Sequence, residues 1–324
     1  MARIALDAMG GDNAPREIVA GAVAAAEEGM DIVLVGDEVI CKDLLAEHGA
    51  TLPVVHASEV IGMGEDAGKG VREKPDASVV RCARLVRHGE AAGFVSAGST
   101  GAAMAAASVV IGRARGVQRA ALATIFPTPG NATVVLDTGA NTEVKPDHLA
   151  QFGVMGAVVA EVYVGLDTPR VGLLNIGEEQ AKGRSLEKTA FTMLEAAPIN
   201  FVGNIEGRDL AAGKADVIVT DGFTGNVLLK TAEGAAFWVI GLAMEALATL
   251  EQTHLEAVLP ALRRVRHLTD SESTGGAHLV GLKGVAVIAH GSSSGTAILN
   301  ALTLARTGAE QDLVGRVASR LAAR

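Results

Sequence analysis

Along the chain, short runs of Val, Ile, Leu and Ala recur, each closing on a glycine-rich or polar turn and followed by a helical pattern. That rhythm predicts βα units feeding a largely parallel sheet, because strands buried on both faces read as continuous apolar runs. Eight strands are legible: Arg3 to Asp7, Asp31 to Gly36, Ala92 to Ser96, Thr133 to Leu136, Val171 to Leu174, Asn200 to Val202, Asp216 to Thr220 and Val285 to Ala289. Ligands of open α/β sheets bind beyond the carboxyl ends of strands, so the Gly, Asn, Ser and Thr of these turns are expected to gather at one sheet edge. No composition break divides the chain, and residues 1–324 read as one α/β domain. The stretch from Val227 to Ala248 reads as a helix whose middle, Gly234 to Met244, carries no charge. A second helix from about Leu255 completes a hairpin over about 227–268 that projects from the sheet, its apolar surface suited to core or to a second subunit. Gly93 to Gly112 is also uncharged, but Gly98, Ser99 and Gly101 break it into a short strand, a turn and a buried helix from about Ala102 rather than a membrane span.

Composition narrows the function classes. With 28 Lys+Arg against 37 Asp+Glu the formal charge is −9, and no basic run tracks a phosphodiester backbone, which excludes nucleic acid as a principal partner. Aromatic residues make up 3%, too few to offer stacking platforms for bases. Two cysteines without CxxC spacing indicate a reducing compartment, and the early Asp7 argues against a secretory signal, so a cytoplasmic protein is expected.

Three familiar signatures nearly match and fail. GMGEDA, Gly62 to Ala67, resembles a dinucleotide fingerprint, but its preceding strand candidate, Leu52 to Val55, ends too early and basic residues stand where the acidic one belongs. GEDAGKG, Gly64 to Gly70, is one residue short of a P-loop and has Gly70 where Ser or Thr would hold magnesium. GSSSG, Gly291 to Gly295, has the setting of a nucleophile elbow, yet no His follows it; a strand-to-helix turn with capping serines is the better reading. The scattered His give no metal-binding spacing. What remains are neutral, backbone-rich loops suited to an oxyanion: SAGSTGA, with Ser99 and Thr100 at a helix N-terminus, and DGFTGN at the start of the long helix. Simple helix capping is the plain alternative for each. Lys182, behind Glu178 and Glu179, is the lone cation among these loops, either a surface lysine or a charge that draws in phosphate.

Together DAMGGDNAP (Asp7 to Pro15), SAGSTGA, LDTGAN, LLNIGEEQAKG, NFVGNIEGRD, DVIVTDGFTGNVLLKTAEG and GGAHLVG followed by HGSSSG resemble, in order and over nearly the whole chain, the bacterial phosphate acyltransferase (PlsX) family. The resemblance implies a Rossmann-like α/β/α sandwich of the isocitrate/isopropylmalate dehydrogenase type, without a nicotinamide or other cofactor and without a metal. It implies transfer of a long-chain acyl group from acyl carrier protein to inorganic phosphate, giving acyl phosphate for phospholipid synthesis. Lys182 and Asn226 match the family's catalytic positions; Ser99, Thr100 and Gly101 are the expected phosphate contacts, with Asn141, Gly225, Ser292, Ser293 and Ser294 as further candidates. A homodimer, peripheral membrane contact through the hairpin and contact with the downstream glycerol-3-phosphate acyltransferase are also implied. Arg263, Arg264 and Arg266 are the candidate patch for an acidic carrier or anionic lipid, since a chain of charge −9 needs local basic residues. Two departures stand out: Ser99 replaces the family's usual Asn, and His278 its usual Pro. The competing readings are a phosphotransacetylase-like enzyme using acyl-CoA and a non-catalytic scaffold of lipid synthesis.

Overall fold

The structure, a computed structural model, describes residues 2–128, 131–248, 256–262, 265 and 275–322. Eleven strands form one sheet in the order β3-β2-β1-β4-β11-β10-β5-β6-β9-β7-β8. In chain order they are β1 (Ile4–Asp7), β2 (Ile32–Gly36), β3 (Val54–His56), β4 (Gly93–Ser96), β5 (Ala121–Thr128), β6 (Asn131–Leu136), β7 (Arg170–Leu174), β8 (Asn200–Ile205), β9 (Val217–Val219), β10 (Ala277–Val280) and β11 (Val285–Ile288). All eight strands read from the sequence are present. The others are β3, which overlaps the strand candidate Leu52 to Val55, and the pair β5 and β10.

That pair corrects the expected geometry. Strands β3, β2, β1, β4 and β11 are mutually parallel, as are β6, β9, β7 and β8. Between them β10 and β5 are antiparallel to each other and to their outer neighbours. The two parallel blocks therefore run in opposite directions, and their loops do not share one edge; they approach each other over the β10–β5 seam.

Helices cover both faces of each block. On the first, α1 (Arg16–Glu27), α2 (Glu38–Glu47) and α10 (Gly295–Glu310) pack against Ile4, Leu6, Ile32, Leu34 and Val287, while α4 (Ser78–Arg87) and α5 (Thr100–Ala106) pack against Ala5, Val33, Phe94 and Ala286 on the other face. On the second, α6 (Pro146–Tyr163), α7 (Ser185–Glu195) and α11 (Leu313–Ala322) cover Val134, Leu136, Leu173 and Val219. Burial on both faces explains the unbroken apolar runs. Two short helices, α3 (Ala67–Glu73) and α8 (Asp209–Ala212), complete the compact part; α5 continues as a π-helical turn through Ile111. Both cysteines are buried and free, and burial pushes the Cys41 thiol up to about 11 and Cys82 well above its ordinary value.

The exception is α9 (Gly222–Leu247), 26 residues or about 39 Å long. It begins earlier than Val227 because the Asp221 side chain caps it, accepting from Thr224 N at 2.8 Å. Only Gly222, Gly225 and Leu229 are buried on it, while Phe237, Trp238, Val239 and Leu242 are exposed. By length and composition alone it could cross a membrane. Residues 256–262 of the second hairpin limb are helical; Arg263, Arg264 and Arg266 lie outside the described residues.

His278, the departure from the family pattern, is buried in β10 with Nδ1 2.7 Å from the Tyr163 hydroxyl. Burial lowers its pKa to about 3. The unfolded chain therefore binds this proton first: its contribution to stability is full above about pH 6.5 and falls as the pH drops towards 3, by about 1.4 kcal/mol per unit. Denaturant titrations at pH 7 and pH 5 should show wild type losing about 2 kcal/mol more than His278→Gln. Parallel losses would remove His278 as the source.

Candidate active site

The site is built on strand ends that terminate in Leu-Asp. After β6, the buried Asp137 carboxylate gathers the loop that follows: Oδ1 accepts from Leu122 N at 3.0 Å, Gly139 N at 3.1 Å and Ala140 N at 2.9 Å, and Oδ2 from Asn141 N and Nδ2 at 2.8 Å each. Burial raises its pKa even against these donors. After β1, the buried Asp7 Oδ2 accepts from Ser96 Oγ at 2.7 Å, and Ser96 Oγ accepts from Gly98 N at 3.1 Å. Gly10 leaves room for this arrangement, since a Cβ there would lie 2.5 Å from Asp7 Oδ2. Burial raises the Asp7 pKa as well.

The third component is the N-terminus of α9, seated directly on the Asp137 backbone. A Cβ at Gly225 would stand 1.9 Å from the Asp137 carbonyl oxygen, so only glycine permits the approach. Gly222 N donates to Asn141 O at 2.7 Å. From the neighbouring β7 loop, Arg184 reaches Asp221 Oδ2 at 3.0 Å and also pairs with Glu187. Burial alone would raise the Glu187 carboxyl, but Arg184 and backbone donors hold it below its ordinary value.

These parts enclose a cleft of about 310 Å³ over the β10–β5 seam. Gly98 and Thr100 line it from the first block; Thr138, Gly139 and Asn226 line it from the second. Thr124 and Ala277, paired in the sheet, form its floor, and His290 and Gly291 also line it. The ion pair Lys230–Glu233, at 2.8 Å, belongs to the same wall. Such a cleft offers hydroxyls, an amide and backbone groups rather than a carboxylate array, the chemistry expected for an oxyanion. Among the described residues, no group of three or more His, Cys, Asp or Glu side chains is placed to hold a metal ion.

The structure thus brings Thr100 and Asn226 of the sequence candidates onto one cleft. Ser99 does not line it; its Oγ caps α5, accepting from Ala102 N at 3.4 Å. Gly101 lies against Ala67, and Gly225 serves the packing just described. Asn141 is latched by its Nδ2 to Ala120 O and Asp137 and lines a different cavity. Ser292 accepts at its carbonyl from Asn13, Ser293 is buried, and Ser294 caps α10 by accepting from Ala297 N. Lys182 is exposed on the β7 loop, Nζ 4.0 Å from Glu179, and does not line the cleft. Sequence reasoning missed Asp137, Thr124, Thr138, His290 and Arg184. The repeated Leu-Asp ending, Leu6-Asp7 and Leu136-Asp137, was the available signal for the first.

An α/β/α protein with this cleft resembles phosphotransacetylases in fold. A phosphotransacetylase from Streptococcus pyogenes superposes with a TM-score of 0.67 at 17% identity, covering 96% of this chain and 94% of that one. A 4-hydroxythreonine-4-phosphate dehydrogenase from Burkholderia phymatum gives 0.52 at 14% identity, covering 96% and 98%. In sequence, a family model described as "Fatty acid synthesis protein" matches residues 2–316. Phosphate acyltransferases from Heliobacterium modesticaldum and Thermus thermophilus are 49% and 47% identical, covering 97% and 99% of this chain and 96% and 99% of their own lengths. The chain belongs to this family, the PlsX phosphate acyltransferases.

Gly225→Ala should lower stability by about 1–3 kcal/mol, because α9 must lift off Asp137. Thermal melting and a turnover assay check this together; a wild-type melting temperature would show that the helix seats independently of that approach.

Proposed function

We propose that this protein transfers a long-chain acyl group from acyl carrier protein to inorganic phosphate. The observation that carries the reading is the meeting of Thr100 and Asn226 across a cleft rich in hydroxyl and backbone groups, in a chain of the phosphate acyltransferase family. Phosphate is anionic near neutral pH and needs positioning more than deprotonation. Its oxygen attacks the thioester carbonyl carbon, the tetrahedral oxyanion collapses, the C–S bond breaks, and the thiolate leaves and takes a proton from solvent. Thr100 positions phosphate with the α5 N-terminus, and the Asn226 amide donates to the developing oxyanion. Lys182 supplies the attracting positive charge from the β7 loop, which Arg184 ties to the start of α9 through Asp221.

The decisive assay is phosphate-dependent release of carrier thiol from a long-chain acyl carrier substrate, with acyl phosphate trapped by hydroxylamine. Asn226→Ala should lose about 100-fold or more in kcat, the typical cost of an oxyanion contact. Lys182→Ala should also lose turnover while remaining folded. Turnover with acyl-CoA alone would instead identify a phosphotransacetylase-like activity, and silence with both donors would leave the scaffold.

The exposed apolar surface of α9 supports a homodimer contact and peripheral attachment to the cytoplasmic face of a membrane, where the downstream glycerol-3-phosphate acyltransferase would receive the product. Phe237→Ser together with Trp238→Ser should reduce co-sedimentation with anionic vesicles or shift the dimer towards monomer in light scattering. If co-sedimentation and oligomeric state are both unchanged, this face has neither role.

A further inference from the structure

A second cavity, of about 550 Å³, lies on the same face of the β10–β5 seam as the cleft. The register makes this explicit: Leu122 lines the cleft, its cross-strand partner Leu279 lines the second cavity, and Ala120, two residues before Leu122, lies further along. On one side α5 and its π-helical continuation contribute Thr100 to the cleft, then Met104 and Ser108 to the second cavity. These positions are four residues apart and so share one helical face. On the other side the Asp137 loop turns Thr138 and Gly139 to the cleft, and Ala140 and Asn141 to the second cavity. The two cavities thus lie in succession against the same strands, helix and loop, polar at the cleft and largely apolar beyond it.

The far end is cationic. Arg113 and Arg119 line it, Arg115 lies between them in sequence, and none of the three forms an ion pair among the described residues. Arg113 Nη1 donates to the Gln118 carbonyl. The chain carries no carboxylate side chain from Ala91 through Leu136, so no acid in this stretch neutralises these guanidiniums. A hydrocarbon tail would not favour such an end, whereas a phosphate would.

We propose that the two cavities form one trough that seats the phosphopantetheine arm of the acyl donor, with its phosphodiester held by Arg113 and Arg119 and its thioester delivered to Thr100 and Asn226. From Thr100 to Ser108 the helix advances about 12 Å; the extended arm, with thirteen bonds from phosphorus to sulfur, is longer than three peptide units and spans roughly 16 Å, so its phosphate falls beyond Ser108, where Arg113 and Arg119 line the second cavity. The inference rests on the acyltransferase reading and gives it a docking site within the described residues: an acidic carrier protein meets Arg113, Arg115 and Arg119 at the trough mouth. CoA carries the same arm and phosphate chemistry, so the two donors must be separated by experiment.

Isothermal titration of the wild-type protein should show 4′-phosphopantetheine binding at least tenfold more tightly than pantetheine, and the preference should collapse to within about twofold in Arg113→Gln/Arg119→Gln. No preference in wild type, or one that survives the double substitution, overturns the proposal; both guanidiniums are exposed, and a melting curve checks that the variant folds. Kinetics with the same acyl group on carrier protein and on CoA then identify the donor. The one seated here shows a KM raised tenfold or more in the variant with kcat within about threefold, and no such rise for either donor overturns the proposal. Wild type that turns over neither donor would sink the acyltransferase reading, while the binding preference would still decide the trough.

Discussion

The buried carboxylate of Asp137 is the constraint on which the site depends. By accepting five hydrogen bonds it folds the turn after β6 so tightly that the same few residues form a wall of the cleft, a wall of the adjoining cavity and the seat of α9. Burying a carboxylate is unfavourable unless donors surround it, and here four of the five come from its own loop and the fifth from Leu122 of β5, so the energetic requirement and the shape of the site are one arrangement. Gly225 completes it, because the helix carrying Asn226 can approach only where no side chain intervenes.

Asp7 performs a related task in the other block through Ser96 and Gly98. The sheet reverses direction between the two, so these organising groups lie on opposed strand systems and their loops reach the seam from both sides. A single parallel sheet would place all such loops at one end. The reversal instead sets the cleft over β5 and β10, in the middle of the sheet, with loops from both blocks lining it.

Much of this was legible in the sequence. The parallel strands announced themselves as unbroken apolar runs before glycine-rich turns, and the family motifs marked the loops. The seam strands did not: β5 ends in Phe126, Pro127 and Thr128, and β10 begins in the Gly-Gly-Ala-His stretch, neither of which has the apolar-run-and-turn rhythm of a βα unit. Nor can local pattern specify that two blocks oppose each other, because direction is fixed by pairing between residues far apart in sequence. Of the site candidates, Thr100 and Asn226 share the cleft, whereas Ser99 and Ser294 serve as helix caps, the role their residue type most often fills. Motif spacing marked the loops without revealing which atoms the backbone had already engaged.

The burial of Cys41 and Cys82 has a practical bearing on the chemistry. A reaction that liberates a thiol is followed most directly with reagents that attack thiolates, and both protein thiols are sequestered and held protonated at assay pH. The folded enzyme is therefore nearly silent to such reagents, and the colour that develops counts departing carriers rather than the catalyst.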